Sequence, residues 1–499
     1  MRLSFTLPIS LLCFLMSCNN TPPIERLTVS VYETSAEGRQ MEQLSDLLEE
    51  AAEAVEITIQ PEETFQEITG IGGSFTEASA SLLNRLSAEN RQQVLEAYFG
   101  DEGARYSLTR THINSCDFSL SNYSYAPIAG DTELENFSIE EDMDDLIPMI
   151  KEAMAISTDG FRIIASPWTA PPWMKDNNDW RGGKLLPEYR DSWALFFSKY
   201  LDAYREQGID IWGITVENEP LGNANNWESM HFTPEEMTQF VVDHLGPKLE
   251  ADGQDVVLLG YDQNRGEELK HWVDAQYGTE EAAKYFDGTA VHWYASTYDW
   301  FPESLQYAHN AAPDKHLIQS EGCVDAEIPH WQDDAWYWSK EATDWGWDWA
   351  SEEDKYLHPK YVPVYRYARD LIGCLNNWVD GWVDWNMVLD RQGGPNWFEN
   401  WCVAPVIVDP DADEVYFTPL FHTMTHFSRF IRPGATRIGF ECADDGLMVT
   451  AAKNPDGSIA VVVLNQQAES KNLQLSLEGK STALAISGQA LQTIIIPAS

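Results

Sequence analysis

Basic residues are scarce in this chain: 32 Lys and Arg stand against 80 Asp and Glu, a formal charge of −48. A field of that sign repels nucleic acid and other anionic polymers, so nucleic acid is excluded as a partner and uronate-rich substrates are disfavoured. A neutral ligand suits it best. Cysteine is sparse and unpatterned. Beyond Cys13 and Cys18, the remaining Cys116, Cys323, Cys374, Cys402 and Cys442 show no CxxC spacing and no histidine at metal-ligand spacing. They read as mostly buried thiols, with room for one disulfide whose partners the spacing does not select. No GxGxxG turn follows the first strand-like run, and "GIGGS" at 70–74 lacks the spacing that cradles a phosphate.

Long apolar runs are missing too, outside the N-terminus. There Arg2 precedes "LPISLLCFLM", and "LMSC" has the pattern of a bacterial lipoprotein signal with Cys18 as the lipidated residue. The stretch is too short to span a bilayer as a mature helix. Residues 1–18 are therefore set aside as a signal segment, and a plain secretory signal leads to the same expectation of export. Attachment to a membrane, on the periplasmic or outer face of a Gram-negative-type cell, is expected through a lipid anchor only.

What the chain has in quantity is aromatic surface: 12% of residues, with 20 tryptophans. Most read as core. Those in polar segments such as "DDAWYWSKEATDWGWDWA" read as flat platforms for a ligand face, sugars included.

After a tether at 19–28, alternating runs at 29–65 look like strands. Over 66–432, strand-like runs then alternate with amphipathic helical segments. The strand candidates are "FQEITGIGG", "RYSLTRTHINS", "GFRIIASPW", "IDIWGITVENE", "DVVLLGYDQN", "GTAVHWY", "KHLIQSEG" and "VDGWVDWNMVL". Eight such units predict a closed (β/α)8 TIM barrel over an open doubly wound sheet. Residues 433–499 change to short strands with an "NPDG" turn, predicting a small antiparallel β-sandwich that the N-terminal strands complete.

A barrel places its working groups at the C-terminal ends of its strands. Read in order, those ends carry Glu77, Asn114 to Asp117, Trp168, Asn218 and Glu219, Asp262, His292 to Tyr294, Glu321, and Trp385 with Asn386. Glu219 in "TVENEP" and Glu321 in "LIQSEG" stand where the fourth and seventh strands stop. Two carboxyl groups held across a barrel mouth are what glycosidic hydrolysis requires, one protonated and one ionised. A metal site would want more ligands than His292 offers, and no cofactor or metal is expected. Strand geometry alone does not choose between Glu217 and Glu219, which share one side of an extended strand. One of the two is expected merely to cap or pair at the surface.

The ordered set "GIGGSFTEASA", "SCDFS", "ASPWTAPPWMK", "TVENEP", "AVHWY", "SEGC" and "DWNMVLDRQGGPNWFENW" resembles glycoside hydrolase family 30, in the branch of glucosylceramidases and β-1,6-glucanases. The resemblance spans roughly residues 60–435 and implies Glu219 as acid/base, Glu321 as nucleophile and Asn218 as a partner of the sugar 2-hydroxyl. It further implies Asp117, Trp168 and Asn396 as a polar clasp, Trp385 as an apolar wall, His292 and Tyr294 as the floor, and Arg110 as the group orienting the nucleophile. After the seventh strand the chain departs from the mammalian pattern with a longer, Trp-rich segment, which suits an extended carbohydrate over ceramide. The expected activity is retaining hydrolysis of a β-linked glucan or glucoside, with water as second substrate. Alternatives are a glucosylceramidase and, in another class, a surface glycan-binding lipoprotein without catalysis.

Overall fold

The computed structural model describes residues 25–45, 48, 53–296, 299–325 and 363–498. The expected signal segment with Cys18 and, beyond Asp325, the Trp-rich segment after the seventh strand lie outside them. Among the described residues no helix is long and apolar enough to cross a membrane.

Eight parallel strands close into a barrel: β1 (Gly70–Phe75), β2 (Leu108–Ile113), β3 (Arg162–Pro167), β4 (Gly213–Thr215), β5 (Val257–Asn264), β6 (Gly288–His292), β7 (His316–Glu321) and β8 (Gly381–Asn386). Each overlaps one of the eight runs picked out by sequence, and all but β1, which continues to Phe75, fall within theirs. Helices cover the outside where amphipathic segments predicted them, as at Ala88–Phe99, Leu146–Ile156 and Arg190–Glu206. The segment from Pro234 to Asp252 starts at a Thr233–Glu236 capping box but is interrupted by a π turn at Val241–Leu245. Pro247 has no N–H to return to the previous turn, which accounts for the break.

The barrel interior is layered. Leu108, Ile164, Leu259, Ala290, Ile318 and Val383 form an apolar plug. Two residues further along four of those strands come Arg110, Ser166, His292 and Ser320, all buried. Period-2 alternation thus places a polar layer directly above an apolar one, nearer the C-terminal rim.

Outside the barrel, and apart from two small sheets of two and three strands, the described strands form a ten-stranded, mostly antiparallel sheet. The N-terminal Val55–Glu67 pairs with Thr436–Cys442 and Lys471–Leu477, and Ser30–Ser35 pairs with Ala490–Ile496. One face encloses its own core of residues such as Val31, Ile57, Val461 and Ile494. The other face, including Ala460, Val462 and Leu491, belongs to the core shared with the barrel helices. His426, buried in the helix Pro419–Ser428, bonds Thr34 (2.9 Å) and Thr493 (2.8 Å) and ties the two units together.

The glycines of "GIGGS" have a packing reason. A Cβ on Gly72 would sit 2.1 Å from the Leu108 carbonyl oxygen, so β1 and β2 meet backbone to backbone. Gly72→Ala is expected to strain this contact by about 1–3 kcal/mol, read as a lowered midpoint of thermal unfolding.

Candidate active site

Three of the strands reach the rim with one extra residue. The β6–β5 register steps from Ala290↔Tyr261 to Val291↔Gln263, so Asp262 is the inserted residue. The β6–β7 register skips Ser320, and the β8–β1 register skips Trp385. A bulge breaks alternation, so neighbouring residues can face the same way. Asp262, with φ of 55°, turns inward where strict alternation from Leu259 would present Tyr261. Ser320 and Glu321 both point to the centre. Glu219 has φ of 50° as well, a left-handed backbone that a carboxylate residue adopts at a cost of about 1–3 kcal/mol. Its N–H donates to the Asp262 carbonyl (2.9 Å) and the Asn218 N–H to the Pro167 carbonyl (2.7 Å), so both neighbouring strands hold the turn.

Arg110 on β2 is fully buried and links the strands. Its Nε donates to Ser166 Oγ (3.0 Å), its Nη2 to Asn218 Oδ1 and Asp262 Oδ2 (2.8 Å each), and its Nη1 to Glu321 Oε2. Glu321 also accepts from the Tyr294 hydroxyl (2.8 Å), whose own backbone N–H is held by Asn264. The other Asp262 oxygen accepts from Ser320 Oγ (2.6 Å) and bonds His292 Nε2 (3.0 Å). His292 Nδ1 lies 3.6 Å from Glu219 Oε1.

These contacts set the charges. Burial alone would lower the His292 imidazole, but Glu321 and Asp262 outweigh it and push it up to about 9. His292 is therefore a cation at neutral pH. Asp262 is held well below the usual carboxylate range, because Arg110 and His292 overcome its burial. Glu219 goes the other way: burial raises it, the His292 cation pulls against that, and Glu321 and Asp262 add to the rise. Asp117 is pushed up by burial and by Glu321, with Asn400 opposing.

Asp117, Trp168, Asn218, Glu219, Tyr294, Glu321 and Trp385 converge on one cavity of about 320 Å³. Trp168 and Trp385 stack at 5.2 Å, and the Arg110 guanidinium lies 4.9 Å and 5.5 Å from their ring centres. Arg110 and His292 sit beneath the wall, fully buried.

Asn396 departs from its expected place in the clasp. Its Oδ1 accepts the Phe398 and Asn400 N–H groups and its Nδ2 donates to the Asn400 carbonyl, so the oxygen and one N–H of the amide shape its own loop. Asn400 lines the cavity instead and donates to Asp117 Oδ2 (3.1 Å). Glu217 is a second correction. It neither caps nor pairs at the surface but is wholly buried, pushed well up by desolvation against the pull of Lys175. The strand ends at Thr215, so the left-handed turn that exposes Glu219 leaves Glu217 inside.

Sequence reasoning missed Asn223, Trp227, Gln263, Asn264 and Asn400 on the wall, and gave Asp262 no role. The polar "DQN" ending an apolar strand was the available signal for three of them.

The glycosyl hydrolase family 30 TIM-barrel model matches residues 68–431, and the beta sandwich model of the same family matches residues 434–494. Lysosomal acid glucosylceramidase of Mus musculus is 35% identical over 461 residues, covering 90% of this chain and 85% of that protein. A solved endo-beta1,6-glucanase superposes with TM-score 0.80 at 28% identity, covering 94% of this chain and all of that one. SrfJ from Salmonella typhimurium superposes with TM-score 0.81 at 29% identity over 94% of this chain and all of its own. With both of its domain models matched and this relative spanning nearly the whole chain, the protein belongs to glycosyl hydrolase family 30 and is a glycoside hydrolase.

Proposed function

We propose that the protein is an exported retaining hydrolase that cleaves β-glucosidic bonds of a neutral glucan by double displacement. The observation that carries this is one cavity bearing two glutamates with different partners: Glu321 bonded to Arg110 and Tyr294, and Glu219 buried beside His292. Glu321 accepts from Arg110 and Tyr294, which hold it in one orientation as the nucleophile toward the anomeric carbon. Glu219, its carboxyl raised by burial, keeps a proton for the departing oxygen. Attack turns the Glu321 carboxylate into a neutral ester. The negative charge that helped hold the proton on Glu219 is then gone, so Glu219 ionises and takes a proton from the incoming water. Arg110 occupies the oxygen of the Asn218 amide, which leaves its NH2 to donate to the sugar 2-hydroxyl. Trp168 and Trp385 offer ring faces, and Asp117 an acceptor for further hydroxyls.

Among the described residues the cavity wall is rich in amides, Asn223, Gln263 and Asn264, and carries the ring of Trp227, a lining that suits a hydroxylated aglycone. Similarity to an endo-beta1,6-glucanase supports a β-1,6-glucan. The second reading, glucosylceramide, rests on the 35% identity to the mouse enzyme. Export and lipid anchoring rest on residues 1–18 and Cys18.

Wild type is expected to release the aryl group from an aryl β-glucoside, and Glu321→Ala to lose at least 10³-fold in kcat. Absence of cleavage by wild type would favour the glycan-binding reading. An NMR time course should first show the β-anomer; the α-anomer would refute the roles of the two glutamates. Faster turnover of glucosylceramide than of β-1,6-glucan would select the second substrate.

The pH profile has a definite sign. Glu219 must be protonated, so kcat/KM falls as pH rises through its elevated pKa. In His292→Gln the cation 3.6 Å from Glu219 is gone and the carboxyl is raised further, so the alkaline limb moves to higher pH. A limb that stays put, or moves to lower pH, contradicts the assignment. Cys18→Ser, expressed in a Gram-negative host, is expected to move the protein from the membrane fraction to the soluble one on cell fractionation.

A further inference from the structure

Two thiols stand beside the nucleophile strand. Cys323 follows Glu321 by two residues, and the short strand Val324–Asp325 pairs antiparallel with Cys402–Val403. The register Val324↔Val403 and Asp325↔Cys402 sets Cys323 and Cys402 diagonally on one face of this ladder. Their sulfurs are 3.1 Å apart although 79 positions separate them in sequence. That is about 1 Å more than a disulfide bond. Both residues are buried from bulk solvent, yet both contribute to the wall of the cavity, which gives a small reagent a path to them. The Tyr294 hydroxyl that donates to Glu321 lies 3.6 Å from the Cys323 sulfur.

We propose that Cys323 and Cys402 are a redox couple in the wall of the active site, and that closing them into a disulfide slows the enzyme. The oxidant is an external small-molecule disulfide. One cysteine thiolate attacks it, forming a mixed disulfide and releasing one thiol; the second cysteine thiolate attacks the mixed disulfide and releases the other. Two protein thiols become one protein disulfide, and the two electrons and two protons leave on the two released thiols. Closure shortens the sulfur–sulfur distance by about 1 Å, drawing Cys323 toward Cys402. Gly322, the residue between Cys323 and Glu321, is pinned through its carbonyl by the Trp385 N–H (2.9 Å), so the pull acts on a taut segment. Displacing a reacting group by up to an ångström costs as much as about 10²-fold in rate. The slowing rests on Glu321 as nucleophile; the bond itself does not.

The full-length protein would be incubated with oxidised glutathione, alkylated and mapped by mass spectrometry, with hydrolysis assayed on the same samples. A peptide linking Cys323 to Cys402 is expected, with kcat/KM at least tenfold lower and recovery on adding dithiothreitol. In Cys402→Ala and Cys402→Ser no linked peptide can form, and in the Cys323→Ala/Cys402→Ala double variant, which also lacks the thiol that would hold a glutathione adduct, the ratio of activities before and after oxidation should be close to one. Reversal by dithiothreitol in wild type reads the same switch if any of these variants fails to fold. No linked peptide, or a linked peptide with unchanged kcat/KM, overturns the proposal. If the peptide forms while the reduced protein cleaves no glycoside, the hydrolytic reading fails and the thiol pair stands.

Discussion

The buried guanidinium of Arg110 is the contact on which the site depends. It reaches Ser166 on β3, Asn218 beyond β4, Asp262 on β5 and Glu321 at the end of β7, so it joins β2 to four other staves. Taking such a cation out of water is expensive, and the pairing is net favourable only where the geometry is good and the remaining donors are satisfied. Two carboxylates, an amide and a hydroxyl meet that condition here. What the arrangement secures is position, because a fork bound on several sides permits one orientation of the groups around it.

From that centre, charge is distributed in sequence. Asp262, ionised between Arg110 and His292, holds the imidazole as a cation. The imidazolium faces Glu219, and its pull moderates a carboxyl that burial raises. Glu321, in direct contact with Arg110, stands on the other side of the same hub. Two identical side chains in one cavity are thereby given different partners by what lies beneath them, Arg110 and His292, both fully buried. The layering of the barrel makes this affordable: the apolar plug below excludes water, and the low dielectric above it strengthens each contact.

Much of this was legible in the chain. Eight strand runs, their order and the residues at their ends follow from local periodicity, while the choice of Glu219 over Glu217 as partner of Glu321 rests on resemblance to the family. Less legible was which side chain faces inward. Asn396 and Asn400 lie four apart in the same motif, yet one amide shapes its own loop while the other meets Asp117. Only the folded loop, with its competing N–H donors, distinguishes them. Glu217 and Glu219 are alike in sequence and differ because one lies before a left-handed turn and the other within it.

The amino-acid pattern by itself determined that a closed barrel forms, that a β-sandwich accompanies it, that Glu321 ends the seventh strand and that Glu219 follows the fourth. Those are consequences of hydrophobic alternation, which is local. The tertiary structure alone decided the inward turn of Asp262, the pairing of Ser320 with it, the exchange of Asn396 for Asn400, and the approach of Cys323 to Cys402. The facing of Asp262 and Ser320 and the approach of the two thiols depend on register between strands distant in sequence, and the exchange of the two amides on how their own loop folds. A one-residue bulge reverses the facing of every side chain beyond it and leaves no mark in the local pattern.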